Sequence, residues 1–169
     1  MSDFVIHVDE NDNELGLVPR EKAHAEGLLH RIAVVYLLRP NGDILIQERI
    51  SGRLDHSSAG HVDPEETYQQ AAKRELEEEL GVSGIALHEV GRGVSYDTET
   101  GKPHGGATHM YAVFSCVAEP GVLNPDEVKS VRWASPGKIL EDMRSDPEDK
   151  KYTGGFKSTL QLLMQPRTE

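Results

Sequence analysis

Three glutamates, Glu75, Glu78 and Glu79, stand close together in the run KRELEEEL at positions 73–80. On a helix that turns by roughly 100° per residue they fall within about 100° of one another. Carboxylates on neighbouring helical turns repel, at a cost of a few tenths of a kcal/mol for each i,i+3 or i,i+4 pair. A bound cation reverses the sign of that interaction. Hard oxygen ligands in this number suit Mg2+, which keeps several waters and shares its shell with substrate phosphates, or Mn2+. A glutamate run can also be a solvated helix face. Glu65 and Glu77 fit that plainer reading, since Glu77 points about 100° or more away from the other three.

The elements around these residues are arranged to present them. Thr67 and Gln70 form a T-x-x-Q capping box, which predicts a helix start, and Asp63-Pro64 just before it predicts the entering turn. Gly81 supplies the stop. Ala72, Leu76 and Leu80 make an apolar stripe beside the acidic one, so one face packs while its neighbour gathers carboxylates.

The whole stretch from Gly60 to Val82 reads GHVDPEETYQQAAKRELEEELGV, with Gly60, Glu66, Arg74, Glu75, Leu76, Glu78, Glu79, Gly81 and Val82 spaced as G-x5-E-x7-R-E-U-x-E-E-x-G-U, where U is aliphatic. This resembles the signature box of the Nudix hydrolases at every fixed position. The resemblance implies that Glu75, Glu78 and Glu79 hold a divalent metal against a diphosphate, with Gly60 approaching the metal or substrate closely. It implies that Arg74 and Glu66 brace the loop-helix-loop, and that Gly81 serves the structure of the box.

A chain of 169 residues with 37% hydrophobic content suffices for one compact domain, and a single domain over 1–169 is expected, with a hairpin and short helix in 1–30 and the box at 60–82. The net charge of -11 argues against a nucleic-acid polymer or an anionic membrane as partner, because both want a basic surface. A small nucleotide stays open, since a bound metal inverts the local field. Cys116 is the only cysteine and no signal-peptide pattern opens the sequence, which together suggest a cytoplasmic enzyme. No apolar run reaches the roughly 20 residues of a membrane span.

Along the chain, Asp3 to Val8 and Leu15 to Val18 read as a hairpin around the turn-rich Asp9 to Asn13, and Arg20 to Glu26 as a helical turn or two stopped by Gly27. Ile32 to Leu38 is a buried strand, turned by Pro40-Asn41-Gly42 into a partner over Asp43 to Glu48. The VDENDNELG segment, the A-H-x5-H-R segment and the hairpin running into the box are similar to the superfamily branch holding type I isopentenyl-diphosphate isomerase and its hydrolase-like relatives. In that branch a histidine follows the opening glycine of the box, here His61, and two upstream histidines match His24 and His30. Three neutral imidazoles suit a second metal such as Mn2+ or Zn2+. His24 and His30 sit six apart, slightly closer than in the isomerase, and they can also be plain hydrogen-bonding residues. The isomerase further needs a cysteine before that glycine, where this chain has Ala59, and neither Ser57 nor Ser58 replaces the acid. Hydrolysis is therefore favoured over isomerisation. His56, His88, His104 and His109 follow no usable pattern.

Beyond the box, Gly84 to Val90 and Gly93 to Tyr96 suggest two strands, and Met110 to Val117 a third that buries Cys116 as a structural thiol. The polar stretch 97–106 between them is a candidate specificity loop, or a hairpin tip. Asn124-Pro125-Asp126-Glu127-Val128 with Trp133 resembles the family's D-E-V-x4-W segment. That makes Glu127 a candidate ligand or general base, alongside Glu78 and Glu79, with Asp126 as a turn residue. Ser135-Pro136 starts a helix with Ile139, Leu140 and Met143 inward, Asp146 to Lys150 breaks it, and Thr153 to Met164 forms a last helix whose apolar face is core or dimer contact.

The expected fold is therefore α/β, a Nudix-like α/β/α sandwich with a mixed sheet. The expected activity is metal-dependent hydrolysis of a nucleoside diphosphate linked to another moiety X, or of a related organic diphosphate. Two alternatives are isopentenyl-diphosphate isomerisation and a non-catalytic nucleotide-sensing module. A homodimer through the hairpin or the last helix is a further expectation.

Overall fold

The computed structural model describes residues 2–96, 108–146 and 150–166. Its elements run β1 (Phe4–Val8), β2 (Glu14–Pro19), α1 (Arg20–Glu26), β3 (His30–Leu38), β4 (Ile44–Arg49), β5 (Leu54–Asp55), β6 (Ser58–His61), α2 (Tyr68–Leu80), β7 (His88–Tyr96), β8 (Thr108–Val117), β9 (Val128–Ala134), α3 (Pro136–Arg144) and α4 (Gly154–Met164).

Strand β3 organises the sheet. It is a run of β-branched, aromatic and leucine residues buried on both faces, as a central strand must be. Alternate side chains divide between two cores. Ala33, Val35 and Leu37 join Ala72, Leu76 and Leu80 of α2, whereas Ile32, Val34 and Tyr36 join Ile139 and Met143 of α3 and Phe156 and Leu160 of α4. Helices thus cover both faces, which is the α/β/α layering expected from the sequence. Pairing is mixed. β3 runs parallel to β8 in the register His30↔His109 through Leu38↔Val117, and antiparallel to β6 through Ile32↔His61 to Val35↔Ser58.

The opening of the sheet positions the site. β3 and β4 pair only beside their connecting turn, at Leu38↔Ile44. They then part, β3 toward β6 and β8, and β4 toward β9 and β5. Side chains from α2 enter where the strands separate.

Several boundaries follow from local chemistry. Thr67 caps α2 by accepting from the Gln70 amide while the Gln70 side chain accepts from the Thr67 amide. Gly81 ends α2 and Gly27 ends α1 in the left-handed region, at φ 63° and 65°. The strand expected over Gly84 to Val90 is not formed as such. Gly84 takes φ 69°, which breaks an extended path, and one strand, β7, begins at His88 and absorbs the second expected segment, with a register shift between Glu89 and Gly91. α4 begins at Gly154, and Thr153 spends its hydroxyl on Asp55 rather than on the helix amides. The candidate specificity loop at 97–106 lies outside the described residues, as does most of the expected break after α3. No helix among the described residues is long and apolar enough to cross a membrane.

Candidate active site

Oxygen atoms of Glu75, Glu79 and Glu127 lie within 4.8 Å of one another. Glu75 and Glu79 come from the α2 face beside the Leu76 and Leu80 stripe, and they are only 4% and 5% exposed. Glu127 reaches them from the turn before β9, where the Asn124 side chain accepts from the Asp126 amide and so fixes the turn. The residue that orders this turn is Asn124, and Asp126 stands exposed beside the cavity.

Burial makes two of these carboxylates reluctant to ionise. Glu79 is pushed up to about 8 by desolvation, reinforced by Glu75, Asp55 and Glu127, although Gln47 Nε2 donates to its Oε2 at 2.5 Å and opposes the shift. Glu75 is also raised by burial, against the pull of Arg74. Ionised together these carboxylates repel, and a cation among them would offset that repulsion.

Arg74 is the brace. Its Nε and Nη2 donate to the two Glu66 oxygens at 2.8 Å each, its Nη2 donates to the His61 carbonyl at 3.0 Å, and its Nη1 donates to Glu75 at 2.5 Å. Glu66 closes the loop by accepting from the Asp63 amide at 3.0 Å. One guanidinium therefore ties the box loop, the end of β6 and a carboxylate of the cluster. Glu78 stays outside the group: its side chain is 44% exposed and meets Arg74 Nη1 at 3.4 Å. Glu77 is exposed, and so is Glu65.

Gly60 has a partner within the protein as well. A Cβ there would overlap the carboxyl of Glu75. The missing side chain makes room for the protein's own carboxylate.

Two further acid-site neighbours carry no sequence signature. Asp55, 5% exposed, accepts from Thr153 Oγ1 at 2.6 Å, from Arg49 Nη1 at 3.1 Å and lies 2.5 Å from His56 Nδ1. Burial alone would raise its pKa, but His56, Arg49 and Thr153 hold it well below the usual carboxylate range. Gln47, on β4, bridges the Ser57 carbonyl and Glu79. Ser57 itself donates to the Leu45 carbonyl and accepts from the Leu37 amide, so its hydroxyl is spent on structure.

Opposite the carboxylates stand histidines. His24 Nε2 lies 3.1 Å from His61 Nε2, the His30 and His61 rings are stacked with centroids 5.1 Å apart, and His109 lies edge-on to His30 at 4.7 Å. The three histidines singled out in the sequence do meet. His109 was missed because only the parallel register of β3 and β8 brings it beside His30. Burial lowers His30 to about 4 and His61 to about 3, and it lowers His109 as well, with the other histidines adding to each shift. These three rings are neutral near pH 7. A cavity of about 310 Å³ joins the two clusters, with His24, His61 and His109 on its walls together with Glu75, Glu79 and Glu127. Arg49, Asp55 and Ala59 also line it, and an adjoining hollow of about 450 Å³ continues past Gln47 and Arg53.

Comparisons with known proteins agree with this geometry. The NUDIX domain family model matches residues 28–153. An uncharacterized Nudix hydrolase of Yersinia pestis is 33% identical over 144 residues, covering 81% of this chain and 75% of its own. An isopentenyl-diphosphate Delta-isomerase of Pectobacterium atrosepticum is 30% identical over 161 residues, covering 92% of this chain and 88% of its own. Among solved structures, a Deinococcus radiodurans protein superimposes with a TM-score of 0.74 at 20% identity, over 96% of this chain and 99% of that one. A MutT NUDIX hydrolase from Burkholderia pseudomallei gives 0.61 at 23% identity, over 80% and 98%. Box, fold and relatives converge: the chain belongs to the Nudix family, in the branch whose relatives bear both Nudix hydrolase and isopentenyl-diphosphate isomerase names.

Proposed function

We propose that the protein hydrolyses a diphosphate bond in a small molecule, either a nucleoside diphosphate linked to another moiety X or a related organic diphosphate, with the help of Mg2+ or Mn2+. The observation that carries this reading is the convergence of Glu75, Glu79 and Glu127, two of them nearly buried and raised in pKa, around a space that a hard cation would fill. All-oxygen donors fit such an ion.

When bound, that ion neutralises phosphate charge and lowers the pKa of a coordinated water. The protein's own residues do the rest. Arg74 and Gln47 hold Glu75 and Glu79 in place, so the ligands pay little reorganisation when substrate arrives. In this reading Glu127, exposed and lining the cavity, accepts the proton of the attacking water, with Glu79 and Glu78 as the other candidate bases. The net charge of -11 is consistent with a small-molecule substrate and no polymer.

The second reading is isomerisation of isopentenyl diphosphate. The meeting of His24, His30 and His61 and the Pectobacterium relative favour it, and Ala59, which lines the cavity where a thiol would be needed, opposes it. A homodimer is part of the proposal too. Phe4, Leu15 and Leu17 are 47%, 59% and 56% exposed on the outer hairpin, and solution mass measurements test the pairing.

The deciding experiment is a panel of ADP-ribose, other sugar nucleotides, dinucleoside polyphosphates, dNTPs and isopentenyl diphosphate, each with Mg2+ and with Mn2+, beside Glu79→Gln. Turnover of one class that disappears in the variant is expected. Isomerisation without cleavage would move the assignment to the second reading, and tight binding of a nucleotide without turnover would make the protein a sensor.

A further inference from the structure

His56 has no part in the chemistry described so far. It is 4% exposed, and Tyr36 and Phe156 enclose its ring edge-on, with centroids 5.7 and 5.3 Å away, yet it lines the cavity of about 310 Å³.

Its two nitrogens have different surroundings. Nδ1 lies 2.5 Å from Asp55 Oδ1, off the line of a straight hydrogen bond, and Asp55 is held ionised against its own burial by His56, Arg49 and Thr153. A carboxylate only accepts, so Nδ1 carries a hydrogen. Nε2 is fully buried and has no hydrogen-bond partner among the described residues. A buried polar atom in that state is costly unless something meets it.

The first turn of α4 stands beside it. Thr153, Gly154 and Gly155 line the same cavity. Thr153 is the N-cap residue, but its hydroxyl goes to Asp55 and not to the amides of α4. A Cβ on Gly155 would meet only Ser95 Oγ, at 3.6 Å, which is an ordinary contact, and its backbone is not left-handed. Neither packing nor conformation asks for glycine there, although glycine weakens a helix relative to alanine. Its effect is to leave room beside the cavity and to keep the positive end of an 11-residue helix open toward it.

Together these neighbours select the group that fits. The helix N-terminus disfavours a cation. An anion would meet the Asp55 carboxylate and, with a neutral ring, the Nε2 lone pair. A hydroxyl suits both sides, because its oxygen accepts from an amide of α4 while its hydrogen is donated to Nε2. With a charged ring the hydroxyl oxygen accepts from Nε2 instead, so the match holds in either state.

We propose that His56, oriented by Asp55, and the first turn of α4 form a subsite for a hydroxyl group on the X half of the diphosphate substrate, which makes that half sugar-like or a polyol. His56 and Gly155 are then specificity-determining residues. The subsite rests on the diphosphate reading, in which Glu75, Glu79 and Glu127 of the same cavity take the other half. A plain hydrocarbon chain would leave Nε2 buried and unpaired, and is therefore disfavoured.

The test measures binding of uncleavable, methylene-bridged diphosphate analogues by calorimetry with Mg2+. The ligands are propyl, butyl and pentyl esters, each with and without a terminal hydroxyl, and a ribosyl ester. Wild type is expected to bind the ribosyl ester and at least one hydroxyl-bearing chain more than about tenfold tighter than the matched plain chain. His56→Asn keeps a nitrogen for Asp55 but loses Nε2, and should bring that ratio to near one while plain chains bind as before. His56→Gln carries its amide near the Nε2 position and should keep part of the ratio. Gly155→Leu, whose Cβ the packing admits, should abolish it by filling the place of the hydroxyl. Equal affinities with and without the hydroxyl in wild type would overturn the subsite and leave the diphosphate reading intact. So would an unchanged ratio in folded His56→Asn or, if that variant does not fold, in Gly155→Leu. Failure of every ester to bind would strike the diphosphate reading itself, and the subsite with it.

Discussion

Gly60 and Glu75 compete for one volume, because a Cβ on Gly60 would overlap the Glu75 carboxyl. The glycine that opens the box therefore acts on the proposed metal ligand through packing. Gly60→Ala should push Glu75 away from Glu79 and Glu127. Turnover should fall by about 100-fold, the loss that a misplacement near 1 Å can produce, while overpacking costs only about 1–3 kcal/mol of stability. Steady-state rates measured beside thermal melts check this. A variant that melts early but keeps its rate would show that Glu75 yields without leaving the cluster.

Arg74 serves three partners at once, Glu66, Glu75 and the His61 carbonyl, and a lysine has no fork with which to do so. Arg74→Lys keeps the charge but loses the bidentate grip. Discounting for its partial exposure, the expected cost is about 1–2 kcal/mol, with a larger loss in turnover at limiting metal than at saturating metal. Equal losses at both metal concentrations would mean that Arg74 supports the fold without setting the Glu75 position.

How much of this could be read in advance depends on the range of each interaction. The α2 helix, its capping box, its stop at Gly81 and the Glu66–Arg74 pair lie within one short stretch, so local spacing suffices to find them. His109 is another case. It joins His30 because β8 runs parallel to β3, and a pairing between strands so distant in sequence leaves no local trace. The same holds for Asp55 and Gln47, which become site residues only because β3 and β4 part and α2 reaches the opening between them. Glu78 shows the opposite limit. Angular spacing alone groups it with Glu75 and Glu79, yet it lies at the solvent edge of the helix, paired with Arg74.

Glu65 carries strain that the fold tolerates. It has φ 71°, a left-handed conformation that costs an L-residue about 1–2 kcal/mol, and its side chain is exposed. Glu65→Gly removes the steric cost but loosens the unfolded chain. A net gain of about 0.5–1 kcal/mol is expected, seen as a rise of roughly 1–4 °C in the melting temperature. An unchanged or lower melting temperature would mean that the Asp63–Glu66 turn already compensates the strain.

The two clusters should give the metal-free protein opposite responses to pH. Glu79 has a folded value near 8, above its ordinary 4.5, so its contribution to stability is whole below about 4.5 and is lost as pH rises through 8. His30 and His61 have folded values near 4 and 3, below the ordinary 6.5, so their contribution is whole above 6.5 and is lost as pH falls toward those values. Lowered carboxylates such as Glu66 add to the acid limb. Stability in chelator should therefore peak near pH 6 and decline on both sides, each limb by on the order of 1 kcal/mol or more. Denaturant titrations from pH 4 to 9 measure it. Glu79→Gln should flatten the alkaline limb and leave the acid one, whereas His61→Asn should soften the acid limb alone. Adding Mg2+ should lift the alkaline limb in wild type but not in Glu79→Gln, because the cation stabilises the ionised carboxylate that burial penalises. An alkaline limb that persists in Glu79→Gln would place the titrating group elsewhere and remove the main electrostatic argument for a cation among these carboxylates.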